Sequence, residues 1–182
     1  MTYHHLALAT KDMAETHAFY EGVMGFELIK VEVAPIPSGG WGKHFFYRMG
    51  DDDTKFIAFW ELHETAHQSE LVFDINKATH MPDGTYHFSF NVDTLDDLNA
   101  RRATWNEAGY DVLEIDHNWC HSVYTKDPDG NFVEFCLTTG TFTDEDRTRA
   151  IAALTETEMN PSPPPAKMKV WSAKDSQPTA AE

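Results

Sequence analysis

HHLALATKDMAETHAFYEGVMGFEL, residues 4–28, begins with strand-like alternation and passes into helical spacing. His5, Ala7 and Ala9 point one way and His4, Leu6 and Leu8 the other, the two-residue period of a strand. Thr10 and Asp12 can cap the helix that follows. Met13, His17, Tyr20 and Met24 recur at helical spacing, and Gly25 stops it. Working outward, 26–33 reads as strand, PIPSGGWG (35–42) as loop, 43–49 as strand, 50–53 as an acidic turn and 56–62 as strand. That is one β-α-β-β-β unit.

The same order returns after a loop-like stretch, residues 64–85. In 86–92, His87, Ser89 and Asn91 oppose Phe88, Phe90 and Val92. Thr94 can cap a helix that turns Leu95, Leu98 and Trp105 inward, and Gly109-Tyr110-Asp111-Val112 echoes Gly25-Phe26-Glu27-Leu28. Strands at 112–115, ending near Tyr124, and at 132–137 flank the turn Asp127-Pro128-Asp129-Gly130. The expected architecture is therefore α+β, with two paired β-α-β-β-β modules, 3–63 and 86–138, in one domain spanning 1–140. A C-terminal helix is expected within 141–159, capped by Thr143. Residues 160–182, which contain NPSPPPAKMKVW, read as a Pro-rich extended tail in which Met168, Val170 and Trp171 are able to dock.

Thirty acidic residues against fourteen basic give a net charge of -16, which repels nucleic-acid phosphates and anionic membranes. Five Trp and an aromatic fraction of 13% supply enough core for an ordered body. Cys120 and Cys136 form neither a CxxC pair nor a disulfide framework, and no basic leader or long apolar run is present. These features read as a cytoplasmic protein in a reducing compartment, with neither nucleic acid nor membrane as partner.

The chemistry concentrates at repeat-related positions. His5 and His87 stand at the same place in the first strands of the two modules, and Glu61 and Glu134, at the same place in the last, interrupt the apolar runs FIAFWEL and NFVEFCL. A carboxylate in such a run is costly unless paired or bound to a cation. Imidazole with carboxylate suits divalent iron, zinc, nickel or manganese, and Glu61 stands as a possible fourth ligand. His4 lies on the opposite face from His5 and is set aside. In an unbulged hairpin about the DPDG turn, Tyr124 lies across from Glu134 on the same face. His117, seven residues before Tyr124, falls on the other face unless a loop or bulge releases it. Cys120 beside His121 is read as inert.

The opening 4–28 and the restart HFSFNVDTLDDL (87–98) resemble the vicinal oxygen chelate superfamily, which includes glyoxalase I, extradiol ring-cleaving dioxygenases, methylmalonyl-CoA epimerases and bleomycin- or fosfomycin-resistance proteins. The resemblance implies an open, cupped mixed sheet around a metal held by His5, His87 and Glu134, and a homodimer. Within the superfamily, IDHNWCHSVYTKDPDGNFVE (115–134) resembles the extradiol dioxygenase signature. That match implies Fe(II), Tyr124 hydrogen-bonded to a bound catecholate, and His117 as a hydrogen-bond donor behind the ligands. The dioxygenases usually place an acid/base histidine where this chain has Asp53, Thr54 and Lys55, a role left to His44 or another histidine. The expected activity is metal-dependent dioxygenation of a catecholic or related vicinal-oxygen aromatic substrate. The alternative is a glyoxalase I-like isomerase, lyase or epimerase acting on a carbonyl substrate, with Glu61 as fourth ligand; the third reading is a non-catalytic drug-binding resistance protein.

Overall fold

The computed structural model describes residues 3–51 and 53–173. Two compact units form, Met1–Phe88 with Lys126–Val133, and Ser89–Thr125 with the chain from Glu134 onward. In the first, β1 (His5–Thr10), β2 (Glu27–Pro35), β3 (Trp41–Arg48) and β4 (Phe56–His63) make a sheet in the order β1-β4-β3-β2, with β1 parallel to β4 and the other neighbours antiparallel. The loop expected at 35–42 is shorter, because β2 runs through Pro35 and β3 starts at Trp41. Gly40 makes this tight return possible. Its φ is +78°, and a Cβ there would stand 2.3 Å from the His63 carbonyl oxygen.

Helix α1 (Met13–His17) is capped by Asp12, whose carboxylate accepts from the Ala14 and Glu15 amides at 2.8 and 3.1 Å. The single helix expected up to Gly25 instead widens into a π-turn over Ala18–Val23, where the Met24 amide reaches back five residues to the Phe19 carbonyl at 2.8 Å. The wider turn buries two consecutive aromatics, Phe19 and Tyr20. Tyr20 packs 4.4 Å from Phe59, with Tyr47 close by, so the odd-numbered residues of β3 and β4 face this helix.

The stretch expected as loop at 64–85 holds a 3-10 turn, Gln68–Glu70, and helix α2 (Ile75–Ala78), capped by Asp74. Fully buried Asn76 ties α2 to Tyr86 through both backbone groups, at 2.9 and 2.8 Å. Asp127 organises the DPDG turn in the same way. It accepts from the Asp129 and Asn131 amides at 3.0 and 2.8 Å and from the Tyr20 hydroxyl at 3.0 Å. Burial outweighs these bonds and pushes its carboxyl up to about 6.

The second sheet has the order β5-β8-β7-β6-β9, from β5 (His87–Asn91), β6 (Val112–Asp116), β7 (Cys120–Lys126), β8 (Phe132–Thr138) and β9 (Lys167–Trp171). Helix α3 (Leu95–Glu107) is capped by Thr94, which accepts from the Asp97 amide at 3.1 Å. It buries Leu98 and Trp105, the latter 5.1 Å from Phe135, but Leu95 is exposed because it falls in the first turn, outside the buried stripe. Helix α4 (Asp144–Ala153) follows a Thr143–Asp146 capping box and buries none of its residues.

The C-terminal segment is more than a linker. Residues Lys167–Trp171 pair antiparallel with β6, from Asp116↔Lys167 to Val112↔Trp171. The remainder of the expected tail, from residue 174, lies outside the described residues. The anchor is Glu114, 3% exposed, whose two oxygens accept from Lys167 Nζ at 2.9 Å, His121 Nε2 at 3.1 Å, Arg102 at 3.0 Å and Trp171 Nε1 at 2.7 Å. Burial raises the pKa of this carboxyl, but the four donors prevail and hold it at about 2, against an ordinary 4.5.

The two buried acids set opposite pH limbs. Glu114 has a depressed pKa, so its stabilisation is present above about 4.5 and lost as pH falls toward about 2. Amides 167–171 should lose hydrogen-exchange protection over that window. Replacing Glu114 by Gln should cost roughly 3 kcal/mol, and truncation after Pro165 should lower Tm without adding fully to the Glu114→Gln loss. Asp127 has a raised pKa, so its contribution is complete below about 3.8 and lost as pH rises through about 6. Asp127→Asn should flatten that part of the Tm-against-pH curve.

Candidate functional site

In the first unit the candidate face is the even-numbered side of β3 and β4. Register pairs His5 with Phe56 and His44 with Trp60, and partners across a ladder share a face. The His5 ring lies 6.2 Å from His44 and 5.6 Å from Phe46, and its Nδ1 is 2.9 Å from His4 Nδ1. His44 stacks on Trp60 at 4.1 Å and 13°, with its Nε2 buried and without a hydrogen-bond partner. Burial, then the charge of His5, lowers its pKa. His5 itself is exposed, as is His87, whose Nδ1 meets the Gly84 carbonyl at 2.9 Å.

Glu61 faces the other way. It pairs with Lys43 and Thr10 in register, on the side of Phe59 and Tyr47, and accepts from Lys43 Nζ at 2.8 Å. There it lines a cavity of about 320 Å³ with Met13, His17 and Tyr47. Counting from the first residue of each strand explains the displacement. Phe56 corresponds to Phe132, so Ala58 rather than Glu61 occupies the position equivalent to Glu134.

In the second unit Tyr124 and Glu134 meet. Burial pushes the Tyr124 phenol up in pKa, a hydrogen bond with Ser122 partly offsets this, and the charge of Glu134 and a hydrogen bond with it add to the rise. Glu134 is only 4% exposed. The Tyr124 hydroxyl stands 3.0 Å from His117 Nε2. Strand parity does not constrain His117, because it lies beyond the end of β6. The turn closes with the His117 amide on the Cys120 carbonyl at 2.8 Å and Asn118 at φ +72°. Cys120 and His121 point to opposite faces, His121 toward Glu114. Burial, followed by Cys136, pushes the Cys120 thiol up to about 11, which leaves it protonated and inert. Alternation along CHSVY was the available signal that Cys120, Ser122 and Tyr124 share one face.

Among the described residues no three His, Cys, Asp or Glu side chains are gathered closely enough to hold a metal ion. His5 and His87 belong to the first unit and Glu134 to the second. No described helix is long and apolar enough to cross a membrane.

The profile of the Glyoxalase/Bleomycin resistance protein/Dioxygenase superfamily matches residues 2–135. Among solved structures, a glyoxylase/bleomycin resistance protein/dioxygenase domain from Frankia sp. EAN1pec superposes with a TM-score of 0.58 at 15% identity, covering 76% of this chain and 98% of its own. The fosfomycin resistance protein FosX from Listeria monocytogenes gives 0.52 at 15% identity, with 80% and 98% covered. TnmS3, an antibiotic binding protein from Streptomyces sp. CB03234, gives 0.51 at 16%, with 76% and 97% covered. At these identities the likeness establishes the fold alone. No curated protein sequence matches the chain.

The bond between Tyr124 and His117 has a direct spectroscopic consequence. Tyr124→Phe should move the His117 Nε2 resonance in a long-range ¹⁵N spectrum while leaving far-UV circular dichroism unchanged. An unmoved resonance would place the two side chains apart in solution.

Proposed function

We propose, given that the chain belongs to the Glyoxalase/Bleomycin resistance protein/Dioxygenase superfamily, that it is a metal-dependent dioxygenase cleaving a catecholic or related vicinal-oxygen aromatic substrate. The observation that carries this reading is the Tyr124 hydroxyl, held between His117 at 3.0 Å and the buried carboxylate of Glu134. A phenol with a raised pKa keeps its single proton at neutral pH, and a substrate oxygen would take that hydrogen bond by displacing the Glu134 carboxylate from it. His117 orients it.

The donor chemistry suits a divalent metal, since His5, His87 and Glu134 together offer two imidazoles and one carboxylate, the set preferred by Fe(II) in oxygenases. Bound Fe(II) would supply a Lewis-acidic, redox-active centre through which substrate and dioxygen exchange electron density. The chain's own residues do the rest. Within the first unit Phe46 and Trp60 give the His5 face flat apolar walls, with the His44 ring stacked on Trp60. A four-ligand, glyoxalase I-like centre is disfavoured, because Glu61 points to the helix side and is engaged by Lys43.

Protein purified without oxygen should carry one equivalent of iron, which His5→Ala, His87→Ala and Glu134→Ala should each abolish while Glu61→Ala retains it. Mixed with catechols in air, the iron-loaded protein should consume oxygen and develop visible absorbance from ring-opened product. Tyr124→Phe should lower kcat by tenfold or more and leave iron content unchanged. If no catechol drives oxygen uptake while a hemithioacetal turns over without oxygen, the isomerase reading replaces this one.

A further inference from the structure

In the second unit β9 extends two rows of side chains beyond the second module. Leu113 on β6 is the register partner of Tyr124 on β7 and of Val170 on β9, and Ile115 is the partner of Ser122 and of Met168. Antiparallel partners share a face, so Tyr124–Leu113–Val170 and Ser122–Ile115–Met168 form two parallel rows across three strands, on the side that carries the phenol. Met168 is 63% exposed and Val170 65%. The opposite side of β9 holds the anchor, with Lys167 and Trp171 bonded to Glu114. Further bonds fix the segment's ends. Asn106 Nδ2 donates to the Ser172 carbonyl at 2.6 Å, the Ala173 amide to Asp111 at 2.6 Å, and the Ala166 amide to the Asp116 carbonyl at 2.8 Å.

A strand held so firmly by one face presents its other face in a fixed position. That face is apolar, and it continues the candidate site without a break. Neighbouring strands lie about 4.8 Å apart, so Leu113 stands about 5 Å and Val170 about 10 Å from the Tyr124 backbone, along one line. The chain's charge of -16 disfavours an anionic group here. We propose that β9 is a specificity element: Leu113, Ile115, Met168 and Val170 form a strip that takes an uncharged alkyl substituent of the substrate, reaching up to about 10 Å from the ring held at Tyr124. This rests on the dioxygenase reading, because it takes Tyr124 as the point where the ring is held.

The test measures binding without turnover, using the full-length iron-loaded protein under anaerobic conditions, with catechol and 4-hexylcatechol titrated by calorimetry. Each methylene buried on the strip adds up to about fourfold in affinity, so the hexyl compound should bind at least tenfold more tightly than catechol. Val170→Lys should bring that ratio to within threefold of one. Val170→Thr, similar in shape and suited to a strand, should lower the ratio by about half an order of magnitude or more, which keeps the test informative if the Lys variant misfolds. Equal affinity for the two compounds, or a ratio unchanged in both variants, overturns the proposal and leaves the dioxygenase reading intact. A Val170→Lys protein whose assembly state changes while its ratio does not would assign the strip to a second copy of the chain and also overturn it. Failure of any catechol to bind removes the dioxygenase reading, and the inference falls with it.

Discussion

A side chain in a strand has two directions available, and every assignment in this molecule depends on which one it takes. In the first unit the odd-numbered residues of β3 and β4 face the helix and supply core, Tyr47 and Phe59 among them, while the even-numbered residues carry His44, Phe46 and Trp60 beside His5. In the second, one side of β6 and β7 presents Leu113, Ile115, Ser122 and Tyr124, and the other presents Glu114 and His121. A shift of one residue exchanges core for site. The same constraint turns Glu61 from a repeat-related carboxylate into a partner of Lys43 on the helix side.

Both units also bury a carboxylate away from the candidate site, and they neutralise its cost differently. Glu114 collects four donors from α3, β7 and β9, two of them from permanently charged side chains, so it remains ionised in spite of its burial. Asp127 receives only amides and a phenol, which are weaker, and desolvation prevails. The first arrangement fastens a segment distant in sequence; the second shapes a local turn.

Much of this was legible in the amino-acid order, since caps and alternation are local. Asp12, Thr94 and Thr143 stand where the helices begin, and His5 and His87 fall in the first strand of each module, which each histidine opens although the strands were expected to start at Tyr3 and Tyr86. Glu61 and Glu134 interrupt similar apolar runs, yet counted from the first residue of each strand Ala58, not Glu61, stands level with Glu134. The π-turn was hidden because Met13, His17, Tyr20 and Met24 satisfy ordinary helical spacing, and so do the buried Thr16, Phe19 and Tyr20. Strand β9 was hidden for a different reason. The prolines just before it, at 161 and 163–165, match an extended linker, and its partner Glu114 lies 53 residues from Lys167, a separation that no local pattern encodes.

Burial alone cannot hold such a strand. Met168 and Val170 remain mostly exposed, and Trp171 is only partly covered, so the apolar area removed from water is small beside the entropy of ordering the segment. Directional bonds to a buried anion, backbone pairing with β6 and stacking of the Arg102 guanidinium on Trp171 at 4.0 Å supply the difference. All of the side-chain anchoring falls on the helix side. Among the described residues the opposite side of β9 takes part in none of these bonds, and Val170 stands in register with Tyr124 through Leu113. An exposed apolar pair kept in fixed register with a candidate catalytic phenol is costly to leave in water, and contact with a ligand or partner surface on that face is what would offset the cost.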